Sequence, residues 1–301
     1  MMQKIAFFIQ SEKRAFEMAH DNSFFPPGSL PIKIVPIGRQ TSIAAHSHDF
    51  YELVIVFDGE GRHCTETETY RIRTGDVFLI KPGSAHRYDL TDGLSIVNLL
   101  YQPERLNLPL YDLADTPGYH AFFELEPALR QEHGFRSRLQ VNGETLEYLR
   151  NLIARLAEEL EGREKGCLFA AVAYLMQIIS CISRSFSTPQ MPAQLDLFRL
   201  SQTMSYIERN WNRELTLAEL ARLASMSSST LYRMFMKTLG KSPMNYVIDV
   251  KVAKAATLLS SSTDSVSVIA AKAGFPDSNY FSRLFKHHMG ITPRQYRERF
   301  H

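Results

Sequence analysis

Between Leu215 and Arg297 the sequence carries one pattern twice, and no other feature restricts the fold as tightly. Laying LAELARLASMSSSTLYRMFMKTLGKSPMNY (Leu217–Tyr246) over VSVIAAKAGFPDSNYFSRLFKHHMGITPRQY (Val266–Tyr296) puts Leu217, Leu220, Ala221 and Ala224 on Val266, Ile269, Ala270 and Ala273. Arg233, Phe235, Gly240, Pro243 and Tyr246 fall on Arg283, Phe285, Gly290, Pro293 and Tyr296 at an offset one residue longer, so the second copy has a one-residue insertion in its turn. Each copy reads as a short apolar-faced helix, a turn and a second helix, the helix-turn-helix unit.

The remaining 200 or so residues leave room for a second domain. With 45% apolar residues in 301, each domain can fill a core. Net charge is +2, but residues 1–185 hold 19 Lys+Arg against 24 Asp+Glu (−5), whereas 196–301 hold 15 against 8 (+7). A basic C-terminal third suits a polyanionic partner that an acidic front would repel. Three cysteines, Cys64, Cys167 and Cys181, cannot pair fully, and MMQKIAFFIQ is too short an apolar run for a secretory leader, so the expected compartment is the cytoplasm. The longest apolar run, Cys167–Ile182, is interrupted by Gln177 and falls short of the roughly 18–20 residues of a membrane span. It reads as a buried helix or a subunit contact, with no membrane partner.

From Ile32 to Tyr101 the segments IKIVPIG, FYELVIVFDGEG, TYRIRTGDVFLIKPG and LSIVNLLY are strand-like and punctuated by Asp-Gly and Pro-Gly, which predicts an antiparallel barrel or sandwich. After Asn142, Leu146, Leu149, Ile153, Leu156 and Leu160 trace a helix, and Gly162–Gly166 turn the chain into a second one over Cys167–Arg184. SFSTPQMPAQ is polar, aperiodic and contains two prolines. The expected architecture is therefore α+β: residues 1–184 as a barrel with a helical pair, 185–195 as linker, and 196–301 as an all-α domain with two helix-turn-helix units.

Thr216 with Glu219 forms a capping box at the start of the first support helix, and Ser265 stands at the equivalent place in the second. In the turns, Gly274 takes positive φ easily, where the first copy must use Ser225. Recognition helices are predicted over 228–237 and 278–287. Leu231, Met234 and Phe235, with Tyr280, Phe281, Leu284 and Phe285, form the expected buried faces. That leaves Ser228, Ser229, Tyr232, Arg233 and Lys237, and Ser278, Asn279, Ser282, Arg283 and Lys286, as candidates for DNA contact. Asn pairs bidentately with adenine and Arg with guanine, whereas Ser and Lys more often hold phosphates. Asp277 reads as an N-cap. Ser242-Pro243 opens a connecting helix to Leu259, a spacer of roughly 26 Å. Neighbouring major-groove faces lie roughly 34 Å apart, so two recognition helices on one chain can enter successive grooves of double-stranded DNA.

IAAKAGFPDSNYFSRLFKHHMGITPRQYR (Ile269–Arg297) resembles the signature of the AraC/XylS transcriptional regulators, and the upstream copy is similar to that family's first motif. The resemblance covers about the last 100 residues. It implies transcription control, usually activation, through promoter DNA and often RNA polymerase. Ser228 and Ser229 are short where larger side chains are common in the family, which weakens the case for direct base reading by the first helix.

His46-Ser-His48-Asp-Phe-Tyr-Glu52, followed by six residues and Gly59, resembles the first cupin motif, and Gly75-Asp-Val-Phe-Leu-Ile-Lys-Pro-Gly83-Ser-Ala-His86 the second. His46, His48 and Glu52 share parity, so on one strand they project from one face, and the second motif implies that His86 joins them. Lys81 replaces a usual proline and Leu90 an asparagine. The four residues suit either a divalent transition metal or the hydroxyls of an effector held with no metal. His63 and His120 receive no role. HSHDFYELVIV, YRIRTGD and LSIVNLLYQPERL resemble the barrel of the rhamnose-operon regulators, which implies a sugar or sugar-derived effector.

The expected function is therefore a dimeric activator of carbohydrate-utilisation genes whose barrel senses the effector. No cofactor is required by this reading. One alternative is a regulator responding to metal or to redox state through the histidines and Cys64. A cupin metalloenzyme is the other, weakened because no further acid–base pair or nucleophile stands out.

Overall fold

In the computed structural model, residues 24–38, 40–66, 68–129, 139–186 and 194–300 are described. The expectations for residues 1–25 and the linker therefore lie largely outside the described residues. Contacts divide the chain into two units, Met1–Leu113 with Ala121–Leu195, and Ala114–His120 with Asp196–His301.

In the first unit, β-branched and aromatic runs form a seven-stranded antiparallel sheet. Its strands are β1 (Ile32–Ile37), β2 (Ile43–His46), β3 (Tyr51–Thr65), β4 (Thr69–Arg73), β5 (Asp76–Ile80), β6 (His86–Tyr101) and β7 (Leu139–Gln140). The two long strands, β3 and β6, pair with each other, and each changes outer partner along its length. Strand β6 meets β2 near His86 and β1 from Ile96 to Tyr101, while β3 meets β5 at Glu52–Ile55 and β4 at Glu60–Cys64. Three register shifts between Val56 and Arg62 bend β3. At the bend Gly59 has φ +71, and a Cβ there would lie 2.3 Å from the carbonyl carbon of Gly93, so the crossing demands glycine. Val54, Val56, Ile72, Phe78, Tyr88, Leu94 and Ile96 form the buried interior.

The two long strands extend beyond their sequence patterns. Strand β3 continues past Gly61 to Thr65, β6 begins at His86 rather than Leu94, and TYRIRTGDVFLIKPG is two strands turning at Thr74-Gly75. The polar residues His63, Arg87 and Asp89 hid these extensions from a reading based on hydrophobicity. Helices α1 (Gly143–Gly162) and α2 (Cys167–Ser185) follow, and the Asn142 side chain caps α1 by accepting from Thr145 N at 2.8 Å. Leu149, Ile153 and Leu156 of α1 and Ala171, Leu175, Ile178 and Ile182 of α2 are buried. At 19 residues, α2 is longer than its apolar run and is long and apolar enough to cross a membrane by length and composition, with a third of it buried in this fold.

The second unit comprises α3 (Leu195–Arg209), α4 (Leu217–Leu223), α5 (Ser228–Leu239), α6 (Pro243–Ser261), α7 (Val266–Lys272), α8 (Ser278–Met289) and α9 (Pro293–Phe300). The duplicated sequence gives duplicated geometry. Thr216 and Ser265 accept from Glu219 N and Val268 N. Ala224 N and Ala273 N donate to Leu220 and Ile269 carbonyls, and Met226 N and Phe275 N to Ala221 and Ala270 carbonyls. Ser225 and Gly274 both take positive φ, +54 and +68. The inserted residue is therefore Pro276, after the shared turn. The repeat extends into Ser242-Pro243 and Thr292-Pro293, which start α6 and α9. Val252, Ala255, Leu259, Ile269, Phe281 and Phe285 belong to the core of the second copy.

Candidate functional site

The recognition helices α5 and α8 follow Ser227 and Asp277, whose side chains cap their first amides. Leu231 and Phe235, and Phe281 and Phe285, are fully buried and hold each helix on its core. Ser228, Ser229, Tyr232, Arg233 and Lys237 are all exposed on α5. On α8, Asn279, Arg283 and Lys286 are exposed at i, i+4 and i+7, one face of the helix. Ser278 and Ser282 are half-buried, and the Ser282 hydroxyl donates to the Ser278 carbonyl at 2.7 Å, which commits its proton within the helix. Tyr280 differs from expectation. It is 36% exposed, leaning edge-on toward Phe275, because it sits in the first helical turn beyond the core. Among the described residues no carboxylate pairs with Arg233 or Arg283, whereas Arg213 pairs with Glu219 and Arg294 with Glu298.

In the barrel, His46, His48, Glu52 and His86 converge, although not by the expected route. His46 ends β2, the chain leaves strand conformation over Ser47–Phe50, and Glu52 lies on β3. Parity would join them only on one continuous strand, and β2 ends at His46 while β3 begins at Tyr51. What joins the residues is pairing, since His46 and His86 are cross-strand partners in β2 and β6. His48 Nε2 lies 2.8 Å from Glu52 Oε2, and His86 Nε2 lies 3.7 Å from it. The ring of His46 is 4.2 Å from that of His86. Burial disfavours the Glu52 charge, but the close contact with His48 and the nearby His86, His48 and His46 rings outweigh it and hold the carboxyl below its ordinary pKa. Burial pushes His86 down to about 3, Glu52 opposing and His46, His63 and His48 adding to the shift.

His63, which the sequence reading left without a role, is 1% exposed with its ring 5.5 Å from that of His86. The register shifts in β3 turn its odd-numbered position inward, so counting by twos from Glu52 misses it. His63 and His86 line a cavity of about 170 Å³ together with Thr65, Lys81 and Ser84. The donor set also suits a transition metal. The ligand atoms of His48, Glu52 and His86 lie within 4.8 Å of one another, and among the described residues Glu52 Oε1 has no hydrogen-bond partner.

Two repeated helix-turn-helix units and a separate sheet unit with a buried polar cluster define a DNA-binding regulator carrying a ligand-binding domain. The AraC-like ligand binding domain family matches residues 36–179 and the helix-turn-helix domain family matches residues 220–299. The chain belongs to the AraC family of transcriptional regulators and is not an enzyme. It is 30% identical over 284 residues to the HTH-type transcriptional activator RhaR of Mannheimia succiniciproducens, spanning 94% of this chain and 97% of that one. It is 30% identical over 283 residues to RhaS of an Enterobacter species, spanning 93% and 96%. The solved DNA-binding domain of AdpA in complex with a target DNA matches 34% of this chain and 92% of its own length, at 26% identity and a TM-score of 0.33.

Proposed function

We propose that this regulator activates carbohydrate-utilisation genes in response to a sugar or sugar-derived effector held in the barrel. The observation that carries the DNA half is the pair of recognition helices, each capped by a side chain and each seated on its core, with Arg233 and Arg283 exposed at matching positions and, among the described residues, paired with no carboxylate. The contact set is Ser228, Ser229, Tyr232, Arg233, Lys237, Ser278, Asn279, Ser282, Arg283 and Lys286, with Arg and Asn reading bases and Lys and Ser holding phosphates, Ser282 only by turning its hydroxyl away from the Ser278 carbonyl.

Activation and a sugar effector are supported by the relatives' names and near full-length match, and by the polar lining of the cavity, where His63, Thr65, Lys81, Ser84 and His86 offer both donors and acceptors. Of His46, His48, Glu52 and His86, which we assign to the effector site, His86 lines this cavity and the other three lie against His86. Effector binding shifts promoter affinity to the extent that the effector binds two arrangements of the chain with different affinities, and that coupling is reciprocal. Phe169, 84% exposed on α2, and Tyr148 on α1 give the helical pair an apolar surface for a homodimer. The protein works in the cytoplasm with RNA polymerase as its further partner.

The test is a thermal-shift screen of the purified chain against monosaccharides, followed by in vitro transcription from a selected promoter. One sugar is expected to raise the melting temperature and increase transcript yield. Transcription that ignores every stabilising sugar contradicts the effector reading.

A further inference from the structure

In the barrel, each of three imidazoles is tied to a backbone carbonyl through Nδ1. His46 contacts the Ala44 carbonyl at 3.1 Å, His48 that of Phe50 at 2.8 Å, and His86 that of Ser84 at 3.2 Å. A carbonyl only accepts, so Nδ1 carries the proton, and in a neutral ring the Nε2 atom is then a bare lone pair. For His48 and His86 this Nε2 is the atom nearest the Glu52 carboxylate. Neither contact has aligned hydrogen-bond geometry, and Glu52 Oε1 is also unbonded. Three acceptors thus meet where no residue is more than 3% exposed. A second proton on His48 answers one contact and leaves His86 Nε2 and Glu52 Oε1 unsatisfied. A cation answers all three.

We propose that His48, Glu52 and His86 bind a divalent first-row transition metal, with His46 outside the ligand set. The three ligand atoms lie within 4.8 Å of one another, close enough for side-chain adjustment to bring them to the roughly 2.0–2.2 Å bonds of a common ion. Two imidazoles and one carboxylate favour zinc, cobalt or nickel over calcium or magnesium, which prefer oxygen alone. The carbonyl contacts at Nδ1 fix each ring's tautomer and direction, as metal-bound histidines require. Among the described residues no cysteine belongs to this ligand group, and the Cys64 thiol donates to Asp89 Oδ2 at 3.4 Å. His86 also lines the neighbouring cavity, so the ion fixes one of its walls. This assignment is independent of which effector the cavity takes.

The experiment is a Co²⁺ titration of the full-length, chelator-treated protein, followed by visible absorption and by metal content after dialysis. One equivalent is expected, with d–d bands and no thiolate charge-transfer band. Glu52→Gln and His86→Gln are each expected to weaken binding by at least about tenfold, while His63→Gln keeps one equivalent. Circular dichroism of the metal-free variants separates lost ligation from lost folding, and the wild-type stoichiometry and spectrum stand as a test without any variant. Less than a tenth of an equivalent, undiminished binding by a folded Glu52→Gln chain, or loss of the ion in a folded His63→Gln chain overturns the proposal.

Discussion

Lys251 Nζ donates to the carbonyl of Gly274 at 2.8 Å from a side chain on a residue only 6% exposed. The connecting helix α6 thereby clamps the turn of the second helix-turn-helix. Burial lowers the lysine's pKa, Glu214 partly opposing, yet the hydrogen bond and the ring of Phe275 5.5 Å away keep the ammonium accommodated. Lys251→Met retains the apolar stem and removes the donor. It is expected to cost about 1–3 kcal/mol, read as a lower urea midpoint at unchanged slope. An unchanged midpoint removes the clamp from the account.

The two turns make opposite predictions. Ser225 pays the strain of positive φ that Gly274 avoids, so Ser225→Gly is expected to be neutral or to stabilise by up to about 1 kcal/mol. Gly274→Ala is expected to destabilise by more than about 1 kcal/mol, because its Cβ would lie 2.7 Å from the Asn212 carbonyl oxygen. Equal effects of the two substitutions, measured by thermal melting, contradict the shared turn geometry.

On the DNA face, Arg283→Ala is expected to cost about 1–3 kcal/mol of operator binding and to relax preference at one base pair. Lys286→Ala is expected to weaken all sequences about equally and to lower the salt slope by about one unit. Gel-shift titrations over a range of salt, with selection from a random library, distinguish base reading from phosphate contact. An unchanged motif for Arg283→Ala, or an unchanged slope for Lys286→Ala, reassigns that residue.

The depressed pKa of His86 sets a pH dependence. In the metal-free chain the unfolded state takes up a proton near pH 6.5, whereas the native ring does so only near pH 3. Stability is therefore fully present above about pH 6.5 and declines as pH falls toward 3. Melting temperatures of chelator-treated protein are expected to drop over this window, and His86→Gln to drop less. Parallel profiles for the two chains contradict the assignment.

The C-terminal half was legible because caps, turns and paired apolar positions are local signals, and each was written twice. Thr216, Ser265, Asp277 and Gly274 act where their side chains and backbone preferences place them. Tyr280 escaped because helical periodicity does not register that the first turn overhangs the core. The barrel was legible in class but not in register. A bulge changes which face a residue occupies without altering the sequence pattern, which is how His63 came to be overlooked. The cluster around Glu52 was found through residue type, but it is assembled by the pairing of His46 with His86, a long-range contact that spacing along one strand cannot express.

If one chain grips two successive major grooves, its recognition helices are held apart by α6, which at 19 residues is about 28 Å long. Hydroxyl-radical footprinting on an operator selected from a random library tests it most directly. Each bound chain is expected to protect two patches about 10–10.5 base pairs apart on one face of the duplex, with the α8 patch fading in Arg283→Ala. Protection of a single groove per bound chain contradicts the account.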